Sequence, residues 1–115
     1  MFNKPTIKQL SKIPKLGQQE NNKDPKVYMK FFFGPMTWYV MEFDGKDTFF
    51  GYVINDYMPE NAELGYFSLR ELMSLRKNYL EVDREIHGIT PYTPKKFSEV
   101  KKIHYQQHYN IRRGY

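Results

Sequence analysis

The sequence has no cysteine, which removes disulfides, thiolate metal sites and thiol catalysis together and fits a reducing compartment. No stretch approaches the roughly 18 consecutive apolar residues that suggest a membrane span. The start, Met1-Phe2-Asn3-Lys4-Pro5, lacks the apolar region of a secretory signal. The expectation is a cytoplasmic protein with no membrane partner. Gly45, Gly51 and Gly65 do not form a phosphate-binding loop. Gly65 is expected to permit a bulge or close packing. There is no internal repeat and no coiled-coil pattern.

What is present is aromatic and unevenly charged. A chain of 115 residues makes one domain, residues 1–115, able to bury a core without metal or disulfide. Ten tyrosines exceed what such a core needs, so some should turn a ring or hydroxyl to solvent. The net charge of +5 hides a division. Residues 1–33 carry seven lysines and two acids, residues 34–94 five basic and ten acidic residues, and residues 95–115 six basic residues and Glu99. Two basic ends around an acidic middle suggest an anionic partner for the ends, nucleic acid included. Plain solubility is the competing explanation.

The pattern predicts an α+β fold: an antiparallel sheet of three to five strands, with a short N-terminal helix, a central helix and a C-terminal helix packed on it. In the first helix, residues 5–13, Ile7, Leu10 and Ile13 point inward, and residues 17–25 form a polar, mobile loop. Val27, Met29, Phe31 and Phe33 alternate with polar and aromatic neighbours over 26–33, the period of a half-buried strand. Strands at 37–43 and 48–55 follow, joined by an Asp44-Gly45 hairpin, and residues 64–67 could widen the sheet. Ser68-Leu69-Arg70-Glu71 is a capping box opening a helix to about Lys77, with Leu69, Leu72, Met73 and Leu75 facing the sheet. Residues 81–87 alternate as another strand would. Thr93-Pro94 reads as the N-cap and first-turn proline of the last helix. Residues 110–115 form a basic tail that could fray.

Many short segments, in order, resemble one family. They are Ile13-Pro14-Lys15-Leu16, Asp24-Pro25-Lys26-Val27-Tyr28, Lys30-Phe31-Phe32, Thr37-Trp38-Tyr39-Val40, Glu42-Phe43-Asp44-Gly45 and Phe49-Phe50-Gly51. The strongest is the run from Glu63 to Leu72. Together they resemble domain of unknown function family 2958, small proteins carried by plasmids, integrative elements and phages. The resemblance covers residues 12–96, loosely after Glu81, and implies a mobile-element accessory protein. It supplies no catalytic residue. By analogy, such proteins often counter host defence, for example by inhibiting a CRISPR nuclease.

Candidate chemistry is thin. His104 and His108 stand one helical turn apart, but Tyr105 replaces the glutamate of a zinc-protease motif and His87 is distant, so no metal is expected. No cofactor is expected either. Glu42, Asp44, Asp47, Asp56, Glu60 and Glu63 could offer an acid and a base. Turn chemistry explains Asp44 and Asp47 better, and the acidic middle could instead be a docking face for a basic groove. Ser68 is better explained as a helix cap than as a nucleophile. Trp38 reads as core, with a partner-facing anchor as the alternative.

The candidate binding residues are Lys95, Lys102, Tyr105, Tyr109, Arg112 and Arg113, where cations for phosphates alternate with rings for bases. Lys8, Lys12 and Lys15 would extend this patch if the chain ends meet. The bland alternative is a solvated helix face. The expected protein is therefore a non-enzymatic, anti-CRISPR-like inhibitor that binds a host defence nuclease–guide RNA complex or its RNA. The alternative is a nucleic-acid-binding module for plasmid maintenance or transfer.

Overall fold

Alternation of apolar side chains organises the molecule around one sheet. A computed structural model describes residues 4–77, 80–100 and 103. The strands are β1 (Lys26–Val27), β2 (Met29–Phe33), β3 (Met36–Phe43), β4 (Thr48–Asn55), β5 (Glu63–Ser68), β6 (Arg76–Lys77), β7 (Leu80–Glu81), β8 (Asp83–Arg84) and β9 (Lys95–Lys96). Two short helices accompany them, α1 (Ile7–Leu10) and α2 (Leu69–Ser74), with 3₁₀ turns at Pro59–Asn61 and Phe97–Glu99. An antiparallel five-stranded sheet runs β5-β4-β3-β2-β8, beside two-stranded ribbons β1–β9 and β6–β7.

Strand β3 is buried from Thr37 to Phe43 because both faces of the sheet are covered there. One face presents Met29, Phe31, Trp38, Val40, Phe43, Phe49 and Phe67, and packs Ile13, Leu69, Leu72 and Val82. The opposite face presents Tyr39, Met41, Tyr52 and Ile54, and packs Val27, Ile89, Val100 and Ile103. Trp38 is thus a core residue.

Turn chemistry fixes the hairpins. Gly45 takes a positive φ of 87°, which glycine adopts without strain. The Asp44 carboxylate accepts from the backbone N–H groups of Lys46, Asp47 and Thr48. Those bonds hold the Asp44 carboxyl below the usual aspartate range. Asp47 caps α2 from outside the helix, its carboxylate accepting from the Arg70 N–H at 2.9 Å. Ser68 Oγ accepts from the Glu71 N–H at 2.9 Å, half of the expected capping box.

The polar segment 17–25 is tied to the sheet. β3 and β4 slip register between Val40 and Glu42, and Gln19 Nε2 donates to the Met41 carbonyl at that slip. The same amide group donates to the Lys26 carbonyl and accepts from the Lys26 N–H. Buried Glu42 accepts from the N–H groups of Gly17 and Gln19, at 2.8 and 2.7 Å.

Several expectations need correction. Only α1 and α2 appear as helical elements among the described residues; the expected C-terminal helix does not start at Thr93, and past Val100 it lies outside the described residues except at Ile103, which is helical. Thr93 does not cap a helix, because its hydroxyl donates to the Gly88 carbonyl and its N–H to that of Thr90. Lys95 and Lys96 are strand instead, and Glu99 takes the Lys96 N–H. Ile7 is 87% exposed, and the segment packs on the first-face core through Leu10 and, beyond α1, Ile13. α2 stops at Ser74, where Leu75 turns extended, and Met73 and Leu75 are partly exposed, at 41% and 38%. The expected strand 26–33 divides between the ribbon and the main sheet, and 81–87 keeps only short pairings. Gly65 neither bulges nor packs closely; the close approach is at Gly51, where a Cβ would stand 1.8 Å from the Tyr39 carbonyl oxygen.

Candidate functional site

The second face of the sheet is covered over β3 and over Tyr52 and Ile54 of β4, and left open over β5 and the Phe50 end of β4. Register places Phe50 opposite Tyr66 and Tyr52 opposite Leu64 on this face. Tyr52 is buried, its ring edge-on to Phe97 at 5.3 Å. Burial also raises its hydroxyl above the ordinary tyrosine value, so it stays protonated. Beyond it the surface opens. Leu64 is 49% and Tyr66 71% exposed, and the Phe50 and Tyr66 rings lie 5.0 Å apart. With Phe97, Pro25, Leu16 and Met41 they line a groove of about 630 Å³. Gly17, Gln19, Glu20, Asn22 and Lys23 form its polar wall, held in place by Glu42.

A lysine ribbon borders that groove. Strands β1 and β9 pair Lys26 directly with Lys96, and Val27 with Lys95. Val27 is buried; the three lysines are exposed. Asp24 closes the ribbon, its carboxylate accepting from Ser98 Oγ at 2.6 Å and from the Ser98 N–H at 2.9 Å. These bonds, chiefly the hydroxyl one, hold the Asp24 carboxyl below the usual range, and Lys96 adds to the effect. The Phe97 N–H donates to the Pro25 carbonyl at 2.7 Å, seating the Phe97 ring in the groove wall. Like charges directly opposite on two strands repel, a cost that a bound anion would offset.

The structure gathers some of the sequence candidates and separates others. Lys95 lines a smaller cavity of about 320 Å³ with Lys30, Tyr39, Glu85 and Glu99. Burial holds the Tyr39 hydroxyl in its protonated form, with Glu85 and Asp56 adding to the effect. Lys8 and Lys12 are exposed on the segment that Leu10 and Ile13 anchor to the first face, so the sheet lies between that segment and the ribbon. Lys15 is exposed where the chain rounds the sheet end toward the groove, next to Leu16. Lys102, Tyr105, Tyr109, Arg112 and Arg113 lie outside the described residues, as do His104 and His108. Among the described residues no three metal-ligating side chains converge. Of the six clustered acids, Glu42, Asp44 and Asp47 serve the backbone.

Lys23, Lys26, Lys96, Phe50, Leu64, Tyr66 and Phe97 were not among the sequence candidates. The surplus of tyrosines pointed to rings in solvent, but nothing local joins Lys26 to Lys96.

Fold and site define a small α+β domain whose most developed surface is an aromatic groove beside cations. The chain belongs to the family described as "Protein of unknown function (DUF2958)", whose model matches residues 2–98. No curated protein and no solved structure matches it. Among the described residues no helix is long and apolar enough to cross a membrane.

Proposed function

We propose that this protein is a binding module without chemistry of its own, and that it captures single-stranded RNA in the groove. The observation that carries the reading is the Lys26–Lys96 pair set beside the open Phe50–Tyr66 pair. Phosphates need cations, and unpaired bases stack on exposed rings. Lys23 lines the groove itself and would hold the backbone as it enters.

In the cell this reading makes the protein a mobile-element inhibitor of host defence. It would bind a nuclease–guide RNA complex through exposed guide RNA, or bind the RNA alone. The family assignment is compatible with this role, and the groove supplies a surface for it.

Anisotropy of labelled single-stranded RNA, hairpin RNA and duplex DNA at two salt concentrations tests the proposal. Single-stranded RNA should bind best and weaken steeply with salt. Lys26→Ala/Lys96→Ala should weaken it and flatten the salt dependence, and Tyr66→Ala should cost about 1–3 kcal/mol of binding. A preference for duplex DNA would favour an accessory role in plasmid maintenance or transfer. No binding at low salt would end the nucleic-acid reading.

A further inference from the structure

The groove uses the face of β5 and leaves its edge unused. β5 is the terminal strand on its side of the sheet, paired among the described residues with β4 alone. Alternate residues of such an edge turn N–H and C=O outward, a template that another extended backbone matches. Apart from the charge of Glu63 at its start, devices that blunt an edge are missing from β5: there is no proline, no lysine and no register slip. Gly65 stands mid-edge, and a Cβ there would meet nothing within 4 Å. Exposed Leu64 and Tyr66 flank it and offer apolar contact to alternate side chains of an added strand.

Charge selects the occupant. Exposed Glu60 and Glu63 stand at the start of β5. At its end the Thr48–Ser68 pairing brings the 44–47 hairpin alongside, with Asp44, Asp47 and, on α2, Glu71. Against these five carboxylates stand Lys46 and Arg70. A phosphate backbone would be repelled here, and a second copy would set this acidic edge against itself.

We infer that the β5 edge docks an extended, lysine- or arginine-rich segment of a protein partner, added as a sixth strand. This goes beyond RNA capture: the two sites share Leu64 and Tyr66, but the acidic edge selects a basic occupant where the lysine ribbon selects an anionic one.

The test uses the full chain and two labelled ten-residue peptides, one alternating valine with lysine, the other valine with glutamate. Anisotropy reads affinity, and amide hydrogen exchange reads residues 63–68. The basic peptide should bind at least about tenfold tighter and slow exchange along β5. Glu60→Lys/Glu63→Lys should lose that binding about tenfold or more while keeping the unfolding midpoint and without weakening RNA binding. Three results would overturn the inference: neither peptide binds, both bind equally, or the outward-facing β5 amides, those not bonded to β4, are already protected in the chain alone. The last would mean that a second copy or the chain itself holds the edge. RNA binding is scored separately, so each proposal can fail without the other.

Discussion

Two aromatic pairs sit one residue apart on neighbouring strands and meet different fates. Phe49 and Phe67 face the first side of the sheet, 5.6 Å apart and buried under Leu69 and Leu72 of α2. Phe50 and Tyr66 face the second side, 5.0 Å apart, with the Tyr66 ring turned to solvent. Strand alternation makes both pairs, and cover decides what each does. The contrast separates rings that hold the fold from rings free to meet a partner.

Substitution should break this symmetry most sharply. Phe49→Ala should cost about 4 kcal/mol of unfolding free energy, because a buried ring leaves a cavity. Tyr66→Ala should stay within about 0.5 kcal/mol of the parent in stability, as surface changes usually do. Denaturant titration of both variants checks the pair. Equal losses would mean that the second face belongs to the core as fully as the first.

A smaller contrast lies in the ladder itself, where Gly51 pairs with Gly65. Gly51→Ala should cost about 3 kcal/mol, since its Cβ would collide with the Tyr39 backbone. Gly65→Ala meets open space and should be neutral to stabilising by about 0.5–1 kcal/mol. Thermal unfolding of the two variants distinguishes them.

The smallest effect concerns pH. The Asp24 carboxyl is held below its ordinary range by Ser98, so its unfolded value is the higher one. The unfolded chain therefore binds the proton first, and the contact's contribution is full above the ordinary aspartate range. It fades as pH falls from the ordinary value to the lower folded one, and is lost below that. The Ser98 amide shift, followed by NMR, should stay constant down to that range and change below it. A titration at or above the ordinary value would show that the contact closing the ribbon is weak.

The sheet was legible because its signals are local. Alternation at 26–33 and the Asp44-Gly45 turn each depend on residues near in sequence, and Ser68 reads as a cap for the same reason. The start of the last helix is misread because Thr93 and Pro94 look the same whether the threonine hydroxyl caps a helix or bonds Gly88 across a turn. The polar segment 17–25 looks free in the sequence because its anchors, Glu42 and Met41, lie on a distant strand. The candidate site was hidden for a related reason. Lys26 and Lys96 come from opposite ends of the chain, and only the β1–β9 pairing sets them side by side. The exposed Leu64 and Tyr66 look like any half-buried strand until the missing cover is seen.

If the uncovered aromatic face is a binding surface, its rings must sense a ligand that the buried rings do not. Ring proton signals of Phe50, Tyr66 and Phe97, followed by NMR while a short oligouridine is added at low salt, give that reading. These three rings should shift together and saturate, while Phe49 and Phe67 stay fixed. Shifts confined to other residues, or none at all, would rule the face out as the site of capture.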